Sequence, residues 1–185
     1  VLMTPPEFDK QYNIDARVYN EVVGINKEEK TVEVKNVQTN ETYTESYDVL
    51  FLAPGAVALR PQSIEGINDE HVFVMKTVPD VEALTTYAKD NDVKDVTVVG
   101  GGYIGLEVAE NLKYAGYNVT LVEAQDQVMA PLDYDMVQII NREIMKNGVD
   151  LVLGDSVQKI AKDKVILASG REINAQAVVM AIGVR

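Results

Sequence analysis

Hydrophobic and polar positions alternate in short runs through the first part of the chain. Glu21 to Ile25 and Thr31 to Val37 read as two strands joined by the charged turn Asn26-Lys-Glu-Glu-Lys30, with Glu41 to Glu45 as the third strand of a small meander. Val32, Val34 and Val37 keep the two-residue period only in part. Ile14 to Val18 is a further candidate strand. Thr4-Pro5-Pro6-Glu7 has the form of a capping box with proline in the first turn, and it predicts a short helix from Phe8 to about Tyr12. Tyr47-Asp-Val-Leu-Phe-Leu-Ala-Pro-Gly55 predicts a buried strand ending at Pro-Gly.

Residues 56 to 68 carry Pro61 and Gly66 and few long apolar patterns, which predicts a crossing between two lobes. After it the pattern changes. Val72 to Met75 reads as a short strand. Thr77-Val-Pro-Asp80 is a second capping box, opening a helix with Val81, Leu84 and Ala88 on its inner face and Asn91-Asp92 at its end. Val96, Val98 and Val99 form a β-branched run suited to a central parallel strand. Ile104, Val108, Leu112 and Ala115 then mark the apolar face of a helix that stops at Gly116, and Asn118 to Glu123 is the next strand. Asp133 is the expected N-cap of a helix with Met136, Ile139, Ile140 and Ile144 inward, ended by Asn147-Gly148. Val149 to Leu153, Asp155 to Ile160 and Lys164 to Ala168 read as strands. Ser169-Gly170 reads as a turn, and Ala177 to Ile182 as a last buried strand closing at Gly183. The order βαβα followed by strands predicts an α/β fold: a Rossmann-like three-layer domain with a β insertion.

Between Val99 and the helix lie Gly100, Gly101 and Gly102, and Gly105 follows, so the spacing is G-x-G-x-x-G. The first glycine of that pattern permits a tight turn. The second lets a pyrophosphate approach the backbone, and the third lets helix and strand pack closely. A helix N-terminus supplies free N–H groups and partial positive charge, both favourable to phosphate. Glu123, at the end of the next strand, stands near the spacing expected of the acid that binds the adenosine ribose hydroxyls. A carboxylate there repels a 2′-phosphate, and residues 124–128 contain no Arg or Lys to receive one, so NAD(H) is expected over NADP(H).

Composition narrows the remaining possibilities. The chain has 185 residues and a formal net charge of −12, which disfavours nucleic-acid and anionic-membrane partners. No apolar run approaches the roughly 20 residues of a membrane span, no secretory signal is visible, and a cytoplasmic protein is expected. There is no cysteine, so neither a disulfide, a cysteine-based metal site nor a thiol nucleophile is expected within these residues. His71 stands alone, which removes most metal and Ser-His schemes, and it reads as a surface or linker residue. With no metal site expected and Val1 in place of an initiator methionine, the chain reads as an internal piece of a longer protein.

Tyr47-Asp48 with Ala53-Pro54-Gly55, Val99-Gly-Gly-Gly-Tyr-Ile-Gly-Leu-Glu107 and Met180-Ala-Ile-Gly-Val184 together resemble the flavin-dependent pyridine nucleotide–disulfide oxidoreductases. Thr4-Pro-Pro-Glu-Phe8 and Gln127-Val-Met-Ala-Pro-Leu-Asp-Tyr-Asp135 resemble the branch containing coenzyme A-disulfide reductases, NADH-dependent persulfide reductases and NADH oxidases. On that template residues 1–68 correspond to part of an FAD-binding domain and residues 69–185 to an NAD(P)-binding domain. The family's first glycine fingerprint and its redox cysteine are not in these residues.

The resemblance implies a role for each matching residue. Gly100, Gly101, Gly102 and Gly105 would cradle the NAD pyrophosphate, with Ile104 giving backbone contact. Tyr103 would be the aromatic gate over the flavin, and Glu107 the acid that positions the nicotinamide end. Gly183 would lie against bound NAD. Val22 or Val23 would meet the FAD adenine through the main chain. Ala53, Pro54 and Gly55 would form the flavin-side turn, where many members have Thr or Ser in place of Pro54. The implied activity is hydride transfer from NADH to FAD and onward to a disulfide, a persulfide such as a coenzyme A species, or dioxygen, in a homodimeric parent, the piece alone being inactive and possible as a monomer. Two other readings stay open: a nucleotide-sensing NAD-binding module without turnover, and a flavin-independent NAD dehydrogenase.

Overall fold

The computed structural model describes residues 3–185. Contacts divide the chain into two units, Val1–Pro54 and Gly55–Arg185. In the first, helix α1 (Pro5–Tyr12) begins with the predicted capping box: Glu7 accepts hydrogen bonds from the Thr4 backbone N–H and from its hydroxyl. Strands β1 (Asn20–Asn26), β2 (Thr31–Asn36) and β3 (Thr42–Ser46) form an antiparallel sheet in the order β1-β2-β3. The Asn26 side chain closes the first hairpin by accepting from the N–H groups of Glu28 and Glu29. A bulge shifts the β1–β2 register between Val22 and Gly24.

Two expected strands of this unit are absent. Residues 14–18 run as coil into a turn, with Ile14 49% and Val18 56% exposed. Residues 47–54 bend at Asp48–Val49 and form no ladder, and Phe51 is 89% exposed. An apolar run becomes a strand only where another strand accepts its hydrogen bonds, and none among the described residues pairs with either segment.

The second unit is built on a five-stranded parallel sheet of β4 (Val72–Val74), β5 (Asp95–Val99), β6 (Asn118–Val122), β7 (Asp150–Val152) and β11 (Ala177–Met180), in the order β4-β11-β5-β6-β7. Its two faces are covered differently. Val96, Val98, Val119, Leu121, Ala177 and Val179 face a core shared with helices α2 (Val78–Asp90), α3 (Tyr103–Tyr114) and α4 (Tyr134–Lys146). Val99, Val122, Val178 and Met180 face the other way, into a core shared with a meander of β8 (Val157–Ala161), β9 (Lys164–Leu167) and β10 (Glu172–Asn174). A strand buried on both faces has no polar side to show, which is why its sequence is a continuous apolar run. Thr97, fully buried, meets this condition by donating its hydroxyl to the Asn174 carbonyl on the meander side.

The observed packing corrects several expectations. The boundary between units falls at Pro54–Gly55, not near residue 68. Residues 55–68 belong to the second unit because Ala58 bridges to Val184, Glu65 to Lys159, and Ile67 is buried in the meander-side core. The inner face of α3 is Gly105, Ala109 and Leu112, while Ile104 and Ala115 are exposed. That face is turned by the close approach of Gly105 to the β5 turn. On α4 Val137 and Asn141 are buried and Ile140 and Ile144 partly so, while Met136 and Ile139 are 59% and 61% exposed. Val81 of α2 is likewise exposed. Strand β10 was hidden by its length: in three residues only Ile173 is buried, too few to show a period.

His71 is not at the surface. It is 4% exposed, and its Nε2 lies 2.9 Å from the Ala161 carbonyl at the end of β8. The ring therefore acts as a brace between the start of β4 and the meander.

Candidate functional site

The glycine turn joins β5 to α3 at the carboxyl end of the sheet, where the strand order reverses: β6 and β7 lie on one side of β5, β11 and β4 on the other. Open α/β sheets bind their ligands in the crevice at such a point. Gly100 has φ +108°, and a Cβ there would lie 2.5 Å from the Ala181 carbonyl oxygen. Only glycine lets the chain leave β5 this close to the end of β11. A Cβ at Gly105 would lie 1.9 Å from the Gly100 carbonyl oxygen, so helix and turn are in direct backbone contact.

Gly102 is different. It is the N-cap of α3, with ordinary extended backbone, and a Cβ there would meet nothing within 4 Å. No side chain caps the helix. The free N–H groups and the positive end of the α3 dipole therefore face an open seat, which is what a diphosphate requires.

Glu123, at the end of β6, turns toward this loop. Its Oε2 accepts from the Gly101 N–H at 2.6 Å and its Oε1 from the Gln125 N–H at 2.8 Å. A carboxylate has about four lone-pair sites, so two remain for donors such as ribose hydroxyls. Gly100 and Glu123 line one cavity of about 190 Å³ with Val99, Val122, Met180 and Ile182 from the strand ends and Val157 from the meander. Gly183, φ +109°, follows Ile182 at the β11 end of this crevice.

Tyr103 and Glu107 stand apart from that cavity. They are one turn apart on α3, and both line a groove of about 480 Å³ between α3 and α4, with Ile140, Glu143 and Ile144 opposite. Tyr103 is 66% and Ile104 47% exposed. Val22 and Val23 lie in the first unit on β1, about half exposed, with Val23 the extra residue of the bulge. Ala53 and Pro54 end that unit, exposed and outside any strand, and Gly55 has φ +71° with open space around it.

Two residues at the glycine loop escaped the sequence pattern. A Cβ at Gly101 would lie 2.8 Å from Val128 Cγ1, and the Gly101 carbonyl accepts from the Met129 N–H at 2.8 Å. Met129 has φ +51°. No periodicity marks Val128 or Met129, because they sit in an irregular loop. The stretch Gln127–Asp135 stood out only as a family likeness, which gave neither residue a role, and the three glycines facing them were the physical signal.

A doubly covered parallel sheet with a glycine turn, an uncapped helix N-terminus and an acid at the next strand end defines a dinucleotide-binding domain of Rossmann type. Comparison with known proteins agrees. The pyridine nucleotide-disulphide oxidoreductase family model matches residues 6–185. Coenzyme A disulfide reductase of Staphylococcus aureus strain COL is 35% identical over 180 residues, covering 97% of this chain and 40% of the relative. The crystal structure of reduced Bacillus anthracis CoADR-RHD superposes with a TM-score of 0.93 at 43% identity, over 100% of this chain and 33% of that one. The water-forming NADH oxidase of Lactobacillus brevis bound to NADH does so with a TM-score of 0.86 at 31% identity, over 98% and 40%. The chain belongs to the pyridine nucleotide-disulphide oxidoreductase family. It spans about 40% of the length of the curated relatives it matches.

Proposed function

We propose that this chain seats NADH in a flavoprotein that passes electrons from the nicotinamide through FAD to a disulfide, a persulfide or dioxygen. The observation that carries the reading is the open seat at Gly102, at the head of α3, with the Glu123 carboxylate beside it. The diphosphate lies over the α3 N-terminus, held by backbone N–H groups rather than by cations. Glu123 accepts the adenosine ribose hydroxyls with the lone pairs the loop leaves free, and its charge opposes a 2′-phosphate. The preference is therefore for NADH over NADPH.

The nicotinamide end runs past Gly183 toward α3, where Ile104 offers backbone contact and Tyr103 and Glu107 act as the gate and the positioning acid. FAD, when bound, supplies the hydride-accepting ring. Its fit to the first unit rests on Val22 and Val23: the bulge leaves the Val23 main chain out of the β1–β2 ladder and free for an adenine edge. Ala53, Pro54 and Gly55 form the turn on the flavin side, through the backbone, since Pro54 carries no hydroxyl. Among the described residues no helix is long and apolar enough to cross a membrane.

The test is stopped-flow mixing of the full-length, FAD-loaded protein with NADH under anaerobic conditions. Bleaching of the flavin's visible absorbance is the expected result, and an unbleached flavin would overturn the reading. NADH binding with no flavin present and no turnover would favour the sensing module instead.

A further inference from the structure

Gly101 occupies a position that the G-x-G-x-x-G pattern leaves unspecified, yet here it is held on both sides. Its N–H donates to Glu123 Oε2 at 2.6 Å, and its carbonyl accepts from the Met129 N–H at 2.8 Å. Val128, fully buried, fills the space where a Cβ at residue 101 would stand, leaving 2.8 Å to its Cγ1. The segment that makes these contacts is itself closed. Leu132 N–H donates to the Met129 carbonyl at 2.8 Å, and the Gln127 side chain donates to the Leu132 carbonyl at 2.9 Å.

Met129 holds a left-handed backbone, φ +51°, with its side chain 7% exposed in the helix-side core. Such a conformation in a long side chain persists only where the surroundings over-determine it, and it gathers at ligand clamps. With this backbone the Met129 N–H reaches the Gly101 carbonyl, its own carbonyl accepts from Leu132, and its side chain enters the core.

We infer that Val128 and Met129 are positioning residues that clamp the Gly101 peptide from behind and so keep the seat at Gly102 formed before nucleotide arrives. The inference rests on the NADH-binding reading above. Neither side chain touches the seat. Both act through the loop, by making its ordering a property of the free protein rather than a cost of binding.

The experiment is a double-mutant cycle on the full-length protein, with NADH affinity by calorimetry and thermal midpoint read on the same samples. Gly101→Ala is expected to weaken NADH at least tenfold. Val128→Ala alone, which loosens the clamp, is expected to weaken it at least threefold. Adding Gly101→Ala to Val128→Ala is expected to cost clearly less than it does in the parent, the remainder set by Val128 Cβ and Glu123 Cβ, still 3.1 and 3.2 Å from the added methyl. Equal losses from Gly101→Ala in both backgrounds would overturn the clamp. Should Gly101→Ala fail to fold, Met129 decides: Met129→Gly keeps both the N–H and the left-handed backbone and is expected to bind within threefold of the parent. Met129→Pro removes the N–H and, with φ fixed at about −65°, the left-handed backbone as well, and is expected to lose at least tenfold; equal affinities for the two would overturn the inference. A parent protein that binds no NADH would overturn this inference and the nucleotide reading together, whereas normal parent binding with no coupling removes the clamp alone.

Discussion

Two glycines of one fingerprint answer to different demands, and alanine separates them. At Gly105 an added Cβ would sit 1.9 Å from the Gly100 carbonyl oxygen. Ordinary contact begins near 3.4 Å, so α3 must move by about 1.5 Å against β5, and the atom it meets is backbone. Forced overpacking of a filled core costs about 1–3 kcal/mol, occasionally more, and this site belongs at the top of that range. At roughly 2–4 °C per kcal/mol for a chain of this size, Gly105→Ala should lower the thermal midpoint by about 6–12 °C. At Gly102 the added methyl meets no protein atom within 4 Å and the backbone is not left-handed. Loss of a permissive N-cap and gain of a stiffer unfolded chain offset each other to within about 1 kcal/mol, so the midpoint should move by less than about 4 °C.

Binding should show the reverse emphasis. A methyl in the diphosphate seat imposes a similar overpacking cost on the complex alone, about 1.4–3 kcal/mol, which is roughly a 10- to 150-fold weaker Kd for NADH. The assay is calorimetric titration with NADH beside thermal denaturation, on both variants and the parent. A Gly102→Ala protein that binds NADH as the parent does would refute the seat. A Gly105→Ala protein with an unchanged midpoint would refute the packing argument.

Other measurements reach other parts of the molecule. NADH should bind at least tenfold tighter than NADPH, by calorimetry, because on the proposed seating the Glu123 carboxylate opposes a 2′-phosphate; equal affinities would contradict the role given to that carboxylate. His71→Ala should cost about 1–3 kcal/mol in chemical denaturation, since it opens a cavity and removes the His71 contact with the Ala161 carbonyl, while NADH affinity stays within twofold. The hydrogen bond from the Thr77 hydroxyl holds the Asp80 carboxyl below its ordinary value of 3.8. A depressed folded-state pKa stabilises above that ordinary value, and the stabilisation is lost as pH falls through the lower, folded one. Thermal midpoints of Asp80→Asn should therefore lie below the parent's at pH 7 and converge with them as pH falls below that ordinary value of 3.8; parallel curves would remove Asp80 from the acid limb.

Much of the α/β unit was legible from residue order because its signals are local. Thr4 with Glu7 and Thr77 with Asp80 marked two helix starts, and Gly100, Gly102 and Gly105 with Glu123 marked the nucleotide unit. What failed to read locally failed for physical reasons. Residues 47–54 have strand composition, but a strand needs a partner. The faces of α3 and α4 were assigned from apolar spacing, yet Gly105 sets the rotation of α3 by backbone contact, which a scale of side-chain hydrophobicity does not contain. The lone histidine looked like surface because nothing in its neighbours named the Ala161 carbonyl, 90 residues away along the chain.

Residue order alone determined the strand–turn–helix–strand module, the acid that ends it and the family to which the chain belongs, since each depends on spacing within a few tens of residues. Only the tertiary structure decided that residues 55–68 join the second unit, that Tyr103 and Glu107 face a different hollow from Gly100 and Glu123, and that Val128 and Met129 grip Gly101 from behind. Those facts are set by which surfaces meet when helices and meander close on opposite faces of one sheet, and distance in space is not written in distance along the chain.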